Sequence, residues 1–220
     1  MKKNALKNLP KAIIFDLDGT LIDSIPAHVR AYQKLANDEF GIHLEQESIL
    51  KHFGKKSRDI IKALLPAYGK DLDALVKKKQ SFYREAFNSV KLLLGVEKLL
   101  HAIKKKGIRR ALGTSSSSRN VDFTLKKFDL EFDVVITGED VERGKPSPDT
   151  FLKIAQRLNL SPKDCLVIGD SVYDIIAAKK AGMKAIGVLT GSTTREEMQK
   201  VKTDAIFENL LEFMEYAQLL

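Results

Sequence analysis

The chain of 220 residues contains a single cysteine, Cys165. One thiol cannot close an internal disulfide, so a fold stapled by oxidation is excluded and a reducing compartment is expected. Cys165 sits in the apolar run Cys165-Leu166-Val167-Ile168, which suits a buried structural thiol rather than a nucleophile. No uncharged apolar run approaches the roughly 20 residues that a membrane-spanning helix needs. The basic start, Met1-Lys2-Lys3-Asn4, is not followed by an apolar signal core. These absences lead to the expectation of a soluble cytoplasmic protein with no membrane partner. Internal repeats are missing, and the serine run at 115–118 is too short to be a low-complexity segment. Neither sign of charge dominates: 37 Lys and Arg face 29 Asp and Glu, a net +8. The excess is scattered through short clusters such as Lys77-Lys78-Lys79 and Lys104-Lys105-Lys106. Such clusters suit solvated helix faces better than a nucleic-acid stripe, and the balance favours small anionic substrates.

The length suits one domain, or one domain carrying an insertion. Lys11-Ala12-Ile13-Ile14-Phe15 is apolar, β-branched and too short for a helix, so it reads as a buried strand. It ends in Asp16-Leu17-Asp18-Gly19-Thr20. An extended chain would point Asp16 and Asp18 the same way, and Gly19 permits a tight turn after them. From Ser24 to Phe40 the spacing of Val29, Tyr32, Leu35 and Ala36 gives a helix stopped by Gly41. Helical patterns alone continue to about Asn88, including Ser57 to Leu65 and, after Gly69-Lys70-Asp71, Leu72 to Phe87. From Lys91 onward the pattern alternates: strands at 109–113, 132–136, 165–168, 184–188 and 205–207, with helices at 96–106, 120–128, 149–158 and 174–181 and a closing helix. The expected fold is α/β, a Rossmann-like doubly wound parallel sheet formed by residues 1–21 and 91–220. A small α-helical cap, residues 22–90, is inserted into it.

In such a sheet, ligands gather beyond the carboxyl ends of the strands. Those ends carry Asp16 and Asp18, then Thr114 and Ser115, then Asp170 with Asp174 following, and Lys145 lies in a loop between. Converging carboxylates suit a hard cation such as Mg²⁺. A lysine and a hydroxyl beside them suit a phosphoryl group.

In their order and spacing, Asp16-Leu17-Asp18-Gly19-Thr20, Thr114, Lys145-Pro146 and Gly169-Asp170-Ser171-Val172-Tyr173-Asp174 resemble the motifs of the haloacid dehalogenase superfamily. The nearest branches are the phosphoglycolate phosphatase-like and β-phosphoglucomutase-like enzymes, and the likeness covers nearly the whole chain. It implies a phosphomonoester hydrolase acting on a small phosphorylated metabolite. Asp16 would be the nucleophile that forms an aspartyl phosphate, and Asp18 the general acid and then base. Thr114 and the Ser115 backbone would hold phosphoryl oxygens, and Lys145 would neutralise charge. The Mg²⁺ ligands would be Asp16, the Asp18 carbonyl, Asp170 and Asp174. An aspartate at position 18 argues for phosphoryl transfer over dehalogenation, because a halide leaves without a proton. In the cap, Arg58, Lys79 and His28 match positions that contact substrate or the acid in the mutase branch. The family has a proline before the glycine at the return from the cap, whereas this chain has Leu94-Gly95.

Each assignment has a plainer alternative. Thr114 could cap the next helix, Asp174 could be a helix-start acid, His28 a satisfied helix histidine, and each lysine a solvated one. Three rival functions share these features: a sugar-phosphate mutase, a phospho-accepting signalling module, and a basic nucleic-acid binder with an idle fold. The expected state is a monomer or weak homo-oligomer.

Overall fold

The computed structural model describes residues 9–66 and 70–219. The basic start of the chain and Gly69 lie outside them. Six parallel strands form one sheet: β1 (Ala12–Phe15), β4 (Arg109–Gly113), β5 (Val134–Ile136), β6 (Cys165–Gly169), β7 (Lys184–Val188) and β8 (Ala205–Phe207), in the order β5-β4-β1-β6-β7-β8. The chain builds outward from β1 first on one side and then on the other. The strand order therefore reverses at β1, where a crevice opens between β1 and its neighbours.

Side chains alternate across the sheet with the period of a strand. Ile13, Phe15, Leu112, Leu166 and Ile168 pack on one face with α5 (Val96–Lys105), α6 (Ser118–Phe128) and α10 (Leu210–Tyr216). Ala12, Ile14, Ala111, Val167 and Ala185 pack on the other with α7 (Asp149–Leu158), α8 (Val172–Lys180) and α9 (Arg195–Lys200). Cys165 is among the buried side chains of this second face, as its apolar setting predicts, and burial followed by the Asp164 charge pushes its thiol up to about 11.

Between β1 and β4 the chain leaves the sheet. Helices α1 (Ile25–Phe40), α2 (Gln46–Leu50), α3 (Ser57–Leu64) and α4 (Leu72–Glu85) close a core of their own around Tyr32, Leu35, Ile49, Ile61 and Leu75. A two-stranded antiparallel ribbon of β2 (Ile22–Asp23) and β3 (Lys91–Leu92) joins this helical insertion to the sheet.

Expected elements differ from observed ones mainly at their ends. β5 starts at Val134, two residues late, because Asp133 turns its carboxylate back to the Arg110 N–H at 2.7 Å. α8 starts at Val172, ahead of Asp174, because Ser171 caps it. The ribbon and α9 have no counterpart in the sequence reading. β2 and β3 are too short to show a period, whereas α9 announces itself by a capping box, Thr194 to Glu197, that the pattern of apolar residues does not display.

Ile14 is fully buried in the central strand. Ile14→Ala should lower unfolding free energy by about 2–5 kcal/mol, read as a shift of the urea midpoint at constant slope.

Candidate active site

The backbone places the site. The Asp16 N–H donates to Ile168 O at 3.0 Å and the Thr114 N–H to Ile136 O at 3.0 Å, so these residues leave the sheet level with the end of β6. The chain does not stay extended through Asp18, the condition on which the two carboxylates would point the same way. β1 stops at Phe15, and a turn in which the Leu21 and Ile22 N–H groups donate to Leu17 O and the Gly19 N–H to Ile22 O brings Asp18 beside Asp16. Both carboxylates line one inner cavity with His28, Lys79, Thr114, Ser115 and Ser116.

Lys145 reaches into this site from its loop. Its Nζ lies 2.6 Å from Asp16 Oδ1 and 2.5 Å from Asp174 Oδ1, with only 1% of the side chain exposed. The lysine is therefore not a surface one. Asp174 is a helix-start acid and more: its Oδ2 accepts from the Ser171 N–H and hydroxyl, while its other oxygen faces the Lys145 ammonium. Burial resists charging Lys145, but Asp16 and Asp174 overcome this and raise its affinity for the proton. Burial also pushes the Asp16 carboxyl up, from 3.8 to about 7, against the pull of Lys145 and with help from the charges of Asp174 and Asp18. Asp170 is raised as well, by burial and then by the charges of Asp16 and Asp174.

Asp18 behaves in the opposite way. Burial disfavours its charge, yet His28 and the hydroxyls of Ser116 and Ser24 outweigh burial and hold the carboxyl well below its usual range. Ser24 Oγ donates to Oδ1 at 2.6 Å and Ser116 Oγ to Oδ2 at 2.5 Å. His28 Nε2 lies 3.1 Å from Oδ1, and the Lys79 ammonium lies 2.6 Å from His28 Nδ1. The ammonium can only donate, so Nδ1 must accept and Nε2 must carry the imidazole proton toward Asp18. Burial and then the Lys79 charge lower the proton affinity of His28, against the charge of Asp18 and the hydrogen bond to it. Burial alone lowers Lys79 to about 7, against the attraction of Asp18. Lys79 is thus not a solvated lysine: it is buried under the Tyr32 ring, 4.4 Å from the centroid. The lysine run hid this, because its neighbours Lys77 and Lys78 do face outward.

Of the remaining candidates, Thr114 and Ser115 line the inner cavity with Asp16, whereas Arg58 does not. Thr114 does not cap α6, whose cap position is Ser117; Thr114 Oγ1 instead accepts from the Ser116 N–H at 3.1 Å. Ser115 Oγ donates to Gly54 O in the insertion at 2.7 Å. Arg58 lines a separate outer cleft, exposed and paired with Asp73. That cleft measures about 1010 Å³, and Lys55, Lys56, Lys77, Arg143 and Lys145 also line it. Sequence reading missed Ser24, Ser116 and Thr20. Ser24 stands at the cap position of α1 but spends its hydroxyl on Asp18, and Thr20 Oγ1 donates to Asp170 Oδ1 at 2.9 Å.

Asp16, Asp170 and Asp174 each offer a carboxylate oxygen within 4.8 Å of the others. Asp18 contributes no carboxylate to that cluster, which leaves only its backbone carbonyl for the metal role expected of it. Asp170 Oδ2 is buried with no hydrogen-bond partner. A Cβ at Gly19 or Gly191 would meet that oxygen at 2.5 or 1.7 Å, so both glycines leave it room. An orphaned carboxylate oxygen among crowded anions fits a divalent cation. Asp16 and Asp170 bind protons more tightly in this site than in an unfolded chain, so without a cation stability falls as pH rises through the interval from 3.8 to about 7. A cation that replaces those protons should stabilise more at pH 8 than at pH 5. Melting temperatures measured with and without MgCl₂ at both pH values check this; equal shifts would contradict it.

Comparison with known proteins agrees with this geometry. The family model described as haloacid dehalogenase-like hydrolase matches residues 13–188. A phosphorylated carbohydrates phosphatase of Thermotoga maritima is 34% identical over 80% of this chain and 83% of its own length. A fructose-1-phosphate phosphatase of Escherichia coli is 35% identical over 80% of this chain and 95% of its own. The crystal structure of a hydrolase from Pseudomonas syringae superposes with a TM-score of 0.88 at 27% identity, covering 95% of this chain and 98% of that one. With that family match, those identities and Lys145 held between Asp16 and Asp174, the chain belongs to the haloacid dehalogenase-like hydrolases.

Proposed function

We propose that this haloacid dehalogenase-like phosphatase hydrolyses a small, polyhydroxylated phosphomonoester by way of an aspartyl phosphate on Asp16. The observation that carries the reading is the pairing of Asp16 with Lys145 at 2.6 Å beside a second, separately wired carboxylate, Asp18. A nucleophile needs its charge balanced without being consumed, and an acid–base group needs its own proton supply. Asp16, Asp170 and Asp174, with the Asp18 carbonyl, would hold Mg²⁺, which would supply charge neutralisation for an anion attacking an anion.

An Asp16 oxygen attacks phosphorus, and the bond to the leaving oxygen breaks as that oxygen takes a proton from Asp18. Water then attacks the phosphorylated Asp16, gives its proton to Asp18, and the bond between phosphorus and Asp16 breaks. The resting Asp18 is the carboxylate that the second step needs. For the first step, Lys79 can pass a proton to His28 Nδ1 as Nε2 passes its own to Asp18, leaving Lys79 neutral until the proton that Asp18 takes from water returns by the same route. Burial lowers that ammonium to about 7 and so eases its release of the proton, while the Asp18 carboxyl is held far lower and hands the proton straight on to the leaving oxygen. Thr114 and the Ser115 backbone would hold phosphoryl oxygens. Residues 22–90 would act as the cap, with Arg58 at the mouth of the outer cleft.

The outer cleft supports a polyhydroxylated substrate. Among the described residues its lining is charged and polar apart from Val76, Gly138, Gly144 and Pro146 and presents no aromatic ring, so a flat apolar base finds little to stack on. The two phosphatase relatives named above act on phosphorylated carbohydrates and on fructose 1-phosphate, respectively. The mutase reading keeps one observation in its favour, the Lys79–His28 relay to Asp18, because a mutase must also protonate and deprotonate a sugar hydroxyl.

A panel of phosphorylated metabolites assayed for phosphate release with MgCl₂ should show turnover on sugar phosphates. Asp16→Asn should cut kcat by about 10³-fold or more while leaving the melting temperature unchanged or raised. Full activity in that variant would refute the nucleophile assignment. Interconversion of glucose phosphates that depends on a bisphosphate activator, without net phosphate release, would instead establish the mutase.

A further inference from the structure

The inner cavity that Asp16 and Asp18 line holds only about 30 Å³, roughly the share of one water molecule. A phosphoryl group cannot enter it as it stands. The outer cleft adjoins it, and Lys55, Ser57 and Ser115 line both. The segment from Lys51 to Ser57, which links α2 to α3, is therefore the wall between the solvent-open cleft and the reacting carboxylates.

That wall is fastened to the sheet's catalytic edge at separate points. Ser115 Oγ holds Gly54 O at 2.7 Å, and the Tyr173 hydroxyl donates to Lys51 O at 3.1 Å. The Lys56 ammonium donates to Val141 O at 2.6 Å and to Glu142 O at 2.9 Å. The fastenings thus land on three different segments: the loop after β4, the first turn of α8 and the loop that carries Lys145. The Lys56 contact differs from the other two because it grips the loop that ends in Lys145. Gly144 accommodates the lysine stem, since a Cβ there would stand 2.8 Å from Lys56 Cγ and 2.9 Å from Cε.

We propose that Lys56 is a positioning residue: its ammonium latches the wall segment to the Val141 and Glu142 carbonyls and so sets the loop that delivers Lys145 to Asp16. Opening the wall to admit substrate breaks both bonds and releases the 141–145 loop. Closing it restores them and returns the Lys145 ammonium to the nucleophile. Lys56 touches no reacting atom; it acts through Lys145. The proposal rests on the phosphatase reading for its kinetic consequence, and on geometry alone for its effect on the loop.

Two variants test it in the full chain. Lys56→Met keeps the stem and removes every donor, whereas Lys56→Arg keeps donors for both carbonyls. With p-nitrophenyl phosphate and MgCl₂, Lys56→Met should lower kcat by about tenfold or more with little change in KM, because misplacing a catalytic group by about an ångström has that scale of cost. Lys56→Arg should restore most of the loss. Hydrogen–deuterium exchange of the peptide covering 141–147, measured without substrate, should speed up in Lys56→Met and not in Lys56→Arg. Exchange that matches the parent in Lys56→Met would overturn the latch, as would a kcat within about twofold of the parent. A parent protein that releases phosphate from no substrate would overturn the phosphatase reading instead, and the exchange measurement would still decide the latch.

Discussion

Four aspartates converge where the central strands end, and charges of one sign at that distance repel in a site with little water. The Lys145 ammonium makes the arrangement possible. It lies between Asp16 and Asp174, with 1% of its side chain exposed. Removing Lys145 costs about 3–5 kcal/mol, because it leaves the buried Asp16 and Asp174 charges uncompensated, whereas removing the Asp16 charge leaves the lysine its second partner. Even so, one lysine does not neutralise Asp16, Asp170 and Asp174 together. The residual anion shows in the raised proton affinity of Asp16 and Asp170 and in the orphaned Asp170 oxygen. The site is built to be short of positive charge, and a divalent cation and a transferring phosphoryl group are the species that use such a shortage.

Asp18 is insulated from that shortage although it is only two residues from Asp16. Its oxygens accept from Ser24, Ser116 and His28, and Lys79 stands behind His28. Two carboxylates on one turn are thereby pushed in opposite directions, one toward the proton and one away from it. His28 is held between the Tyr83 ring, stacked at 3.9 Å, and the edge of Phe53 at 5.5 Å. The imidazole cannot turn without disturbing the helical insertion, so the insertion's packing fixes which nitrogen faces the acid.

Much of this was legible in the sequence because it is written locally. The run into Asp16 has the composition of a buried strand. The strand–helix alternation after Lys91 has only a few right-handed solutions, and in all of them Thr114, Asp170 and Asp16 share an edge. What was not legible depends on contacts across long stretches of chain. Lys79 looks like its neighbours Lys77 and Lys78 until helix α4 turns it inward toward α1. Ser24 has the position of a helix cap, but its hydroxyl finds a stronger acceptor in Asp18. Gly191 carries no signal at all until Asp170 is seen pressed against it. The ribbon of β2 and β3 is too short for any pattern to show.

That ribbon pairs Ile22 with Leu92 and Asp23 with Lys91, so the chain departs from the parallel sheet and comes back to it through a single doorway. Whatever hangs beyond the doorway contributes no strand to the sheet. Its helices can lengthen, shorten or be exchanged as a cassette without disturbing the order in which the sheet assembles. Descendants of such a chain can trade one clientele for another while inheriting the same chemistry, so long as α1 and α4 keep His28 and Lys79 behind Asp18.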